Sequence, residues 1–344
     1  MLRRGIAAAF AVVYSYSWSQ DIHFSQVATN QMLSNPAAAG VFDGWERITV
    51  NHKNQWVNAG TKFFTSSMAA DLNLFKPKRG NKAHIGLGFQ FYNDIGGDSK
   101  FGTKQFILNA SGIVPLNEMH EISGGIQFGV AQRTGNLGSL VFSNQFNGTV
   151  LDPTLNSNEP NNMISFMYPD VGVGVTYRYG NHSIGFSRDH QTDLMIGVAY
   201  LHANRPKLAY SLGYSEKLYS KLAIQVNFLK DFSGSKLGME GFVYQWVQGP
   251  HWETLLGALL RVRLSSGSKT TGLNRDAYFK IGTACRIKDA LAPMMHIQFS
   301  NFDFGVSYDV TISKLGQTAR SGGLEFSFIY TNRDFALFKR RGGI

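Results

Sequence analysis

Apolar side chains recur at every second position over unusually long stretches, and no other feature restricts this chain as strongly. Ile85, Leu87, Phe89 and Phe91 share one face, while His84, Gln90 and Tyr92 share the other. Ile122, Ile126, Phe128 and Val130 oppose Glu121, Ser123, Gln127 and Arg133, and Val171, Val173, Val175, Tyr177 and Tyr179 alternate with Gly172, Gly174, Thr176 and Arg178. The pattern continues through Leu222/Ile224/Val226/Phe228, Leu256/Ala258/Leu260/Val262, Phe302/Phe304/Val306/Tyr308 and Leu324/Phe326/Phe328/Tyr330. A period of two specifies strands with one apolar face. The segments run to roughly 9–14 residues, against about 5–6 for an ordinary soluble strand and about 9–11 for a tilted strand crossing a bilayer.

Alternation alone fits both a soluble sandwich, with apolar faces inward, and a membrane barrel, with apolar faces towards lipid. Here the second face is polar and rich in glycine, and only 16% of the residues are charged, below the roughly 25% usual for soluble proteins. Aromatic residues near strand ends (Phe91-Tyr92, Tyr177, Tyr179, Tyr244, Trp246, Trp252, Tyr308, Tyr330) suit an interfacial girdle. Unpaired backbone groups find no water in a bilayer, so such a sheet has to close. The fold expected is all-β: a transmembrane antiparallel outer-membrane β-barrel of about 14 strands (range about 14–16), with both termini on the periplasmic side. The single cysteine, Cys285, excludes an internal disulfide and falls in register with Ile281 and Thr283, on the lipid side.

Residues 1–19 carry Arg3-Arg4, an apolar stretch and then Ser17-Trp18-Ser19, the order of a secretory signal peptide. Residues 20–44 form an N-terminal periplasmic or lumenal segment. The barrel is expected over 45–331, with one long Asn-rich loop at 134–168, followed by a basic tail at 332–344. A loop of that length is a candidate gate or binding surface.

Catalytic and metal motifs are missing. His120-Glu121 lacks the second histidine of a zinc helix, Gly185-Phe186-Ser187-Arg188-Asp189 lacks the second glycine of a nucleophile elbow, and no phosphate-binding Gly-Lys-Ser/Thr loop occurs. No cofactor and no enzymatic activity are expected. The net charge of +10 admits anionic lipid or an acidic partner. Nucleic acid is disfavoured, because the chain is exported and its basic residues do not cluster in one segment. Arg133, Arg178, Arg261, Arg263 and Arg286, with Lys82, Lys280 and Lys288, fall on the polar face. There they would pair with lipopolysaccharide phosphates, face an acidic peptide in the lumen, or simply line a solvated wall.

Separate motifs carry a family resemblance. Gln20-Asp21-Ile22-His23-Phe24-Ser25-Gln26 is followed by Asn35-Pro36-Ala37-Ala38-Ala39-Gly40, Asn54-Gln55-Trp56 and Tyr168-Pro169-Asp170. Phe304 to Leu315 contains Ser307-Tyr308-Asp309, and Gly322-Gly323-Leu324-Glu325 comes next. In this order the motifs resemble those of the PorP/SprF outer-membrane proteins of type IX secretion and gliding motility. The resemblance implies a non-enzymatic barrel that binds a large secreted surface protein, of the adhesin type, through its C-terminal sorting domain. It also implies contact with periplasmic type IX components, including a peptidoglycan-binding lipoprotein. The partner-binding candidates are Phe24, Gln26, Asn35, Pro36 and Gly40 together with the five arginines. Asn35-Pro36 favours a turn and the small residues after it permit close backbone approach, which describes either a packed lead into the first strand or a segment that meets a partner. The rival function is a general diffusion channel with a basic, anion-favouring lumen.

Overall fold

A computed structural model describes residues 22–55, 63–77, 82–135, 140–158, 165–181, 191–211, 214–265, 276–312 and 322–333. The signal-like segment 1–19, Trp56, Asn161-Asn162, Ser313 to Leu315 and the tail from Asp334 onward lie outside these residues. The strands are β1 (Glu46–Gln55), β2 (Phe63–Leu74), β3 (His84–Gly96), β4 (Phe101–Pro115), β5 (His120–Thr134), β6 (Phe166–Asn181), β7 (Thr192–Leu201), β8 (Lys207–Ser211) and β9 (Tyr214–Lys217). They continue as β10 (Lys221–Asp231), β11 (Leu237–Gln248), β12 (His251–Ser265), β13 (Ala277–Arg286), β14 (Ala290–Phe299), β15 (Phe302–Thr311) and β16 (Gly323–Asn332). All except β8 and β9 form one closed antiparallel barrel of 14 strands, sealed where β1 pairs with β16 from Glu46↔Asn332 to Gln55↔Gly323. The closed, 14-stranded antiparallel architecture is the one the alternation predicts.

The alternation sorts the side chains. On β4, Phe106 and Leu108 are 55% and 60% exposed on the outside, while Gln105, Ile107, Asn109 and Ser111, alternating with them, are buried inside. The same outward band includes Ile126, Phe128, Val175, Ile281, Met295 and Phe304. So large an apolar surface requires lipid around it, since soluble monomers seldom expose more than a few hundred Å² in one patch. Cys285 lies on this outward register and pairs with Leu256 and Leu291 on the neighbouring strands.

Because β1 begins beside the end of β16, one mouth of the barrel carries both chain ends of the sheet. This terminal mouth also holds the turns 116–119, 232–236 and 300–301. The far mouth holds turns 97–100, 249–250 and 287–289 and the two longest connections, 135–165 and 202–220. The loop expected over 134–168 is shorter at both ends: Thr134 belongs to β5, and Phe166 to Tyr168 open β6 together with Pro169-Asp170, Tyr168 pairing with Ala131 and Asp170 with Gly129. Proline is tolerated there because its side of the ladder needs no further donor. The β8–β9 hairpin folds over the far mouth, where Leu208 and Leu218 pack on Ala131 and Tyr168.

The aromatic girdle needs correction. Trp252 and Tyr308 point outward, 56% and 47% exposed, but Tyr92, Tyr244 and Trp246 are buried in the lumen. In β11 both faces carry large apolar groups, so alternation does not mark the lipid side. Phe242, Tyr244 and Trp246 share the register of Glu240 and Gln248, and Tyr244 stacks on Trp246 at 5.5 Å. With Leu255, Leu259 and Met294 they form an apolar cluster inside the barrel.

Candidate functional site

The lumen is filled by the chain's own N-terminal segment. Residues from Phe24 to Phe42 form a plug built from three short 3-10 turns, Val27–Thr29, Gln31–Leu33 and Pro36–Ala38. Asn35 caps the last of these: its Oδ1 accepts the Ala37 N–H at 2.9 Å and Pro36 takes the first position, where no N–H donor is needed. Close seating depends on missing side chains. A Cβ at Gly86 would lie 2.2 Å from Ala39 O, and one at Gly125 would lie 2.6 Å from the Ala37 backbone. Gly40 has φ +76° and touches the Gly86 backbone, so both its conformation and its surroundings exclude larger residues.

Polar contacts fix the plug along its length. Ser25 N and Gln26 N donate to the two carboxylate oxygens of Glu325, each at 2.8 Å. Gln26 Nε2 donates to Ser307 Oγ at 3.0 Å, and Ser327 Oγ donates to Gln26 Oε1 at 2.6 Å. Deeper in, Asn51 Nδ2 donates to Thr29 Oγ1 and Gln90 Nε2 to Met32 O. Asn35 Nδ2 donates to Val175 O and Thr176 Oγ1, both at 3.0 Å. Ser123 and Ser111 donate to Ala37 O and Ala39 O, and Gly40 N donates to Asp71, which Arg47 clamps with two nitrogens. At the terminal mouth Lys76 Nζ donates to Phe42 O and Gly44 O. Burial pulls the Lys76 ammonium below its ordinary pKa, with Asp43 partly opposing.

The basic wall residues face carboxylates of the same chain. Arg178 contacts Asp193, Glu121 and Asp43. Arg261 reaches Asp231 at 2.8 Å and lies 3.6 Å over the Tyr278 ring, with Arg263 at 3.8 Å from the same Asp231. Lys280 bridges Glu240 and Asp303. Arg286 contacts Glu253, Asp289 and Asp309, and donates to Ser25 Oγ. Arg133, also buried, stands over the Phe101 ring. Lys82 and Lys288 are exposed outside the strands. Charged groups drawn out of water need such partners, and these pairings take up the cations that sequence alone offers to an outside anion.

The structure thus brings Phe24, Gln26, Asn35, Pro36 and Gly40 together as one plug and spreads the five arginines around its wall. Lys53, Asp71, Asp309 and Glu325 also face the plug or its wall, and no pattern in the sequence sets them apart beyond the quoted motifs that hold Asp309 and Glu325. Lys53 Nζ sits 2.8 Å from Asp309 Oδ2. The motif piece around Ser25 therefore meets those around Asp309 and Glu325, far away in the chain, in one lumenal cluster.

The plug leaves a cavity towards each mouth. The far one is bounded by Phe24, Tyr92, Gln105, Asp170, His202 and Trp246; Asp170 accepts from Gln105 at 2.9 Å and lies 2.7 Å from His202 Nδ1. The terminal one holds Asp43, Arg47, Arg178, Asp193, Arg261 and Lys280. No group of residues able to hold a metal ion occurs among the described residues.

Among solved structures, the chain is similar to BamA from Haemophilus ducreyi lacking POTRA domains 1–3 (9% identity, TM-score 0.43, covering 84% of this chain and 70% of that one). It is also similar to the translocator domain of autotransporter NalP from Neisseria meningitidis (12%, 0.36, 83% and 88%) and to a TodX monoaromatic hydrocarbon channel mutant (10%, 0.44, 89% and 94%). These likenesses have no bearing on function. No curated protein sequence matches the chain. The sequence model of the type IX secretion system membrane protein PorP/SprF matches residues 17–330, and the chain belongs to that family, as an integral β-barrel of the outer membrane.

Proposed function

We propose that this barrel is a non-enzymatic binding component of type IX secretion and not a conduit. It holds a large secreted surface protein through that protein's C-terminal sorting domain and assists its export or retention. The observation that carries this reading is the plug: Glu325, Asn35, Asp71 and the two serines anchor it from one mouth to the other. A polypeptide cannot share that lumen without displacing the plug. Partner contacts then fall to the far mouth, with segment 140–158 and the β8–β9 hairpin, and to the terminal mouth, which faces the periplasm. The long connections at the far mouth support that orientation, since barrels of this class have short periplasmic turns. At the terminal mouth the partners are periplasmic secretion components, including a peptidoglycan-binding lipoprotein. We assign lipopolysaccharide phosphate to the exposed Lys288, whose ammonium lies 5.1 Å from the Trp252 ring.

The test is conductance of the purified protein in planar bilayers, with affinity recovery from native membranes alongside. The expected results are a closed barrel and co-recovery of a large secreted protein. A stable, anion-selective open pore would favour the diffusion channel and overturn the reading, and recovery without a secreted or periplasmic partner would remove its binding role.

A further inference from the structure

The chain contains one Asn-Gly pair, Asn147-Gly148, and it occupies the tip of a short hairpin in segment 140–158. Phe146 bridges Leu151, and Asn147 N donates to Val150 O at 3.1 Å. The side-chain Oδ1 of Asn147 accepts Thr149 N and Val150 N, each at 3.0 Å. Two backbone donors thus converge on the oxygen of one side-chain amide. Asn147 and Gly148 are both exposed, Gly148 has φ +96°, and a Cβ placed on Gly148 would meet nothing within 4 Å. The amide is open to water and to the backbone nitrogen that follows it.

Attack on an amide carbon drives negative charge onto its oxygen, and donors already aimed at that oxygen lower the barrier. Here the attacking nitrogen belongs to the next residue, so the step is intramolecular. We propose that Asn147 is a self-modification site, converted in the folded protein to aspartate and isoaspartate by the Gly148 nitrogen. Hydroxide removes the Gly148 N–H proton, the nitrogen bonds to Cγ, and the charge that collects on Oδ1 is held by the Thr149 and Val150 N–H groups. The Cγ–Nδ2 bond then breaks and Nδ2 leaves as ammonia, taking a proton from water and returning the hydroxide. A succinimide ring remains. Water adding at Cγ opens the ring to aspartate, and water adding at the Asn147 main-chain carbonyl carbon opens it to isoaspartate; the bond from that carbon to Gly148 N breaks in each case. The aspartate form keeps both donors and binds them more strongly, as a carboxylate does. It also adds a negative charge near Asp152, the only charged residue between 140 and 158. A charge there changes the rate at which charged partners associate with the far mouth.

Asn117 supplies the comparison. Its Oδ1 accepts Met119 N and His120 N, both at 2.9 Å, but Glu118 and not glycine follows it. The test is ageing of the purified, folded barrel in lipid at mildly alkaline pH, with peptide mass spectrometry following aspartate and isoaspartate at both positions over time. The same protein unfolded in urea is the reference. Conversion at Asn147 is expected to run about tenfold faster in the folded protein than in the unfolded one, short of the roughly 10²–10³ that one such donor gives in a water-excluded site. Asn117 is expected to stay intact over the same period. A folded rate equal to or below the unfolded one, or no conversion at all, overturns the proposal. Conversion of Asn117 as fast as Asn147 overturns it as well, since the glycine would then play no part.

Discussion

Glu325 accepts the backbone N–H of Gln26 at 2.8 Å, joining the last strand of the barrel to a residue 299 positions earlier in the chain. Its other oxygen accepts the Ser25 N–H at the same distance, so one fully buried carboxylate holds two consecutive donors. Such charge-assisted bonds are worth about 1.5–3 kcal/mol each. Glu325→Ala is therefore expected to destabilise the folded barrel by about 2–4 kcal/mol through unpaired N–H groups and to produce flickering conductance in planar bilayers as the outer part of the plug loosens. Unchanged unfolding and a silent bilayer would show that Glu325 does not hold the plug.

The glycine seat predicts a contrast between two adjacent residues. A Cβ at Gly125 meets the Ala37 backbone at 2.6 Å, whereas one at Gly124 meets nothing within 4 Å. Gly125→Ala is expected to cost about 1–3 kcal/mol by overpacking, and Gly124→Ala to stay within about 0.5 kcal/mol. Urea unfolding in lipid measures both, and equal effects would argue against a backbone-tight plug.

Arg261 and Asp231 are both nearly fully buried and 2.8 Å apart. Asp231→Ala leaves Arg261 with only the more distant Glu240, at 3.6 Å, and is expected to cost about 3–5 kcal/mol. The double variant Arg261→Met, Asp231→Ala should recover most of that loss, because the charge that meets Asp231 at 2.8 Å is then gone and Arg263 loses only its longer contact of 3.8 Å. A double variant as unstable as the single one would mean that the aspartate acts through packing and not through charge.

The strands were legible because lipid demands apolar side chains at every second position, as along Ile85 to Phe91, and the closed sheet follows from the absence of water in the bilayer. The lumen was not, for a physical reason. The inner face of a plugged barrel obeys the packing rules of a protein interior, so Phe242, Tyr244 and Trp246 are as apolar as the outer face beside them and alternation loses its meaning in β11. Alternation puts the arginines on the polar face, but their partners Asp193, Asp231 and Asp309 come from other strands, and no spacing within one strand announces those pairs. The small residues Ala37 to Gly40 did signal close backbone approach. That the surface they approach is the barrel's own inner wall depends on Gly86 and Gly125, which only the closed sheet brings to them.

Lys76 lies just beyond β2, and its ammonium is drawn from water to cap Phe42 O and Gly44 O where the plug leaves the lumen. Burial lowers its pKa from the ordinary 10.5. Between that lowered value and 10.5 the folded protein holds Lys76 neutral while the unfolded chain is still protonated, so the unfolded state binds more protons and stability rises with pH. Below the window both states carry the charge and the folded one bears the full desolvation penalty; above it both are neutral and the gain is complete. Lys76→Met removes the titrating group. The stability of the wild type relative to Lys76→Met should therefore increase as the pH climbs through this alkaline window, measured as the difference between the two urea midpoints in lipid at successive pH values. A difference that stays flat would show that the ammonium remains solvated at the terminal mouth, and one that falls with pH would show that pairing with Asp43 outweighs its burial.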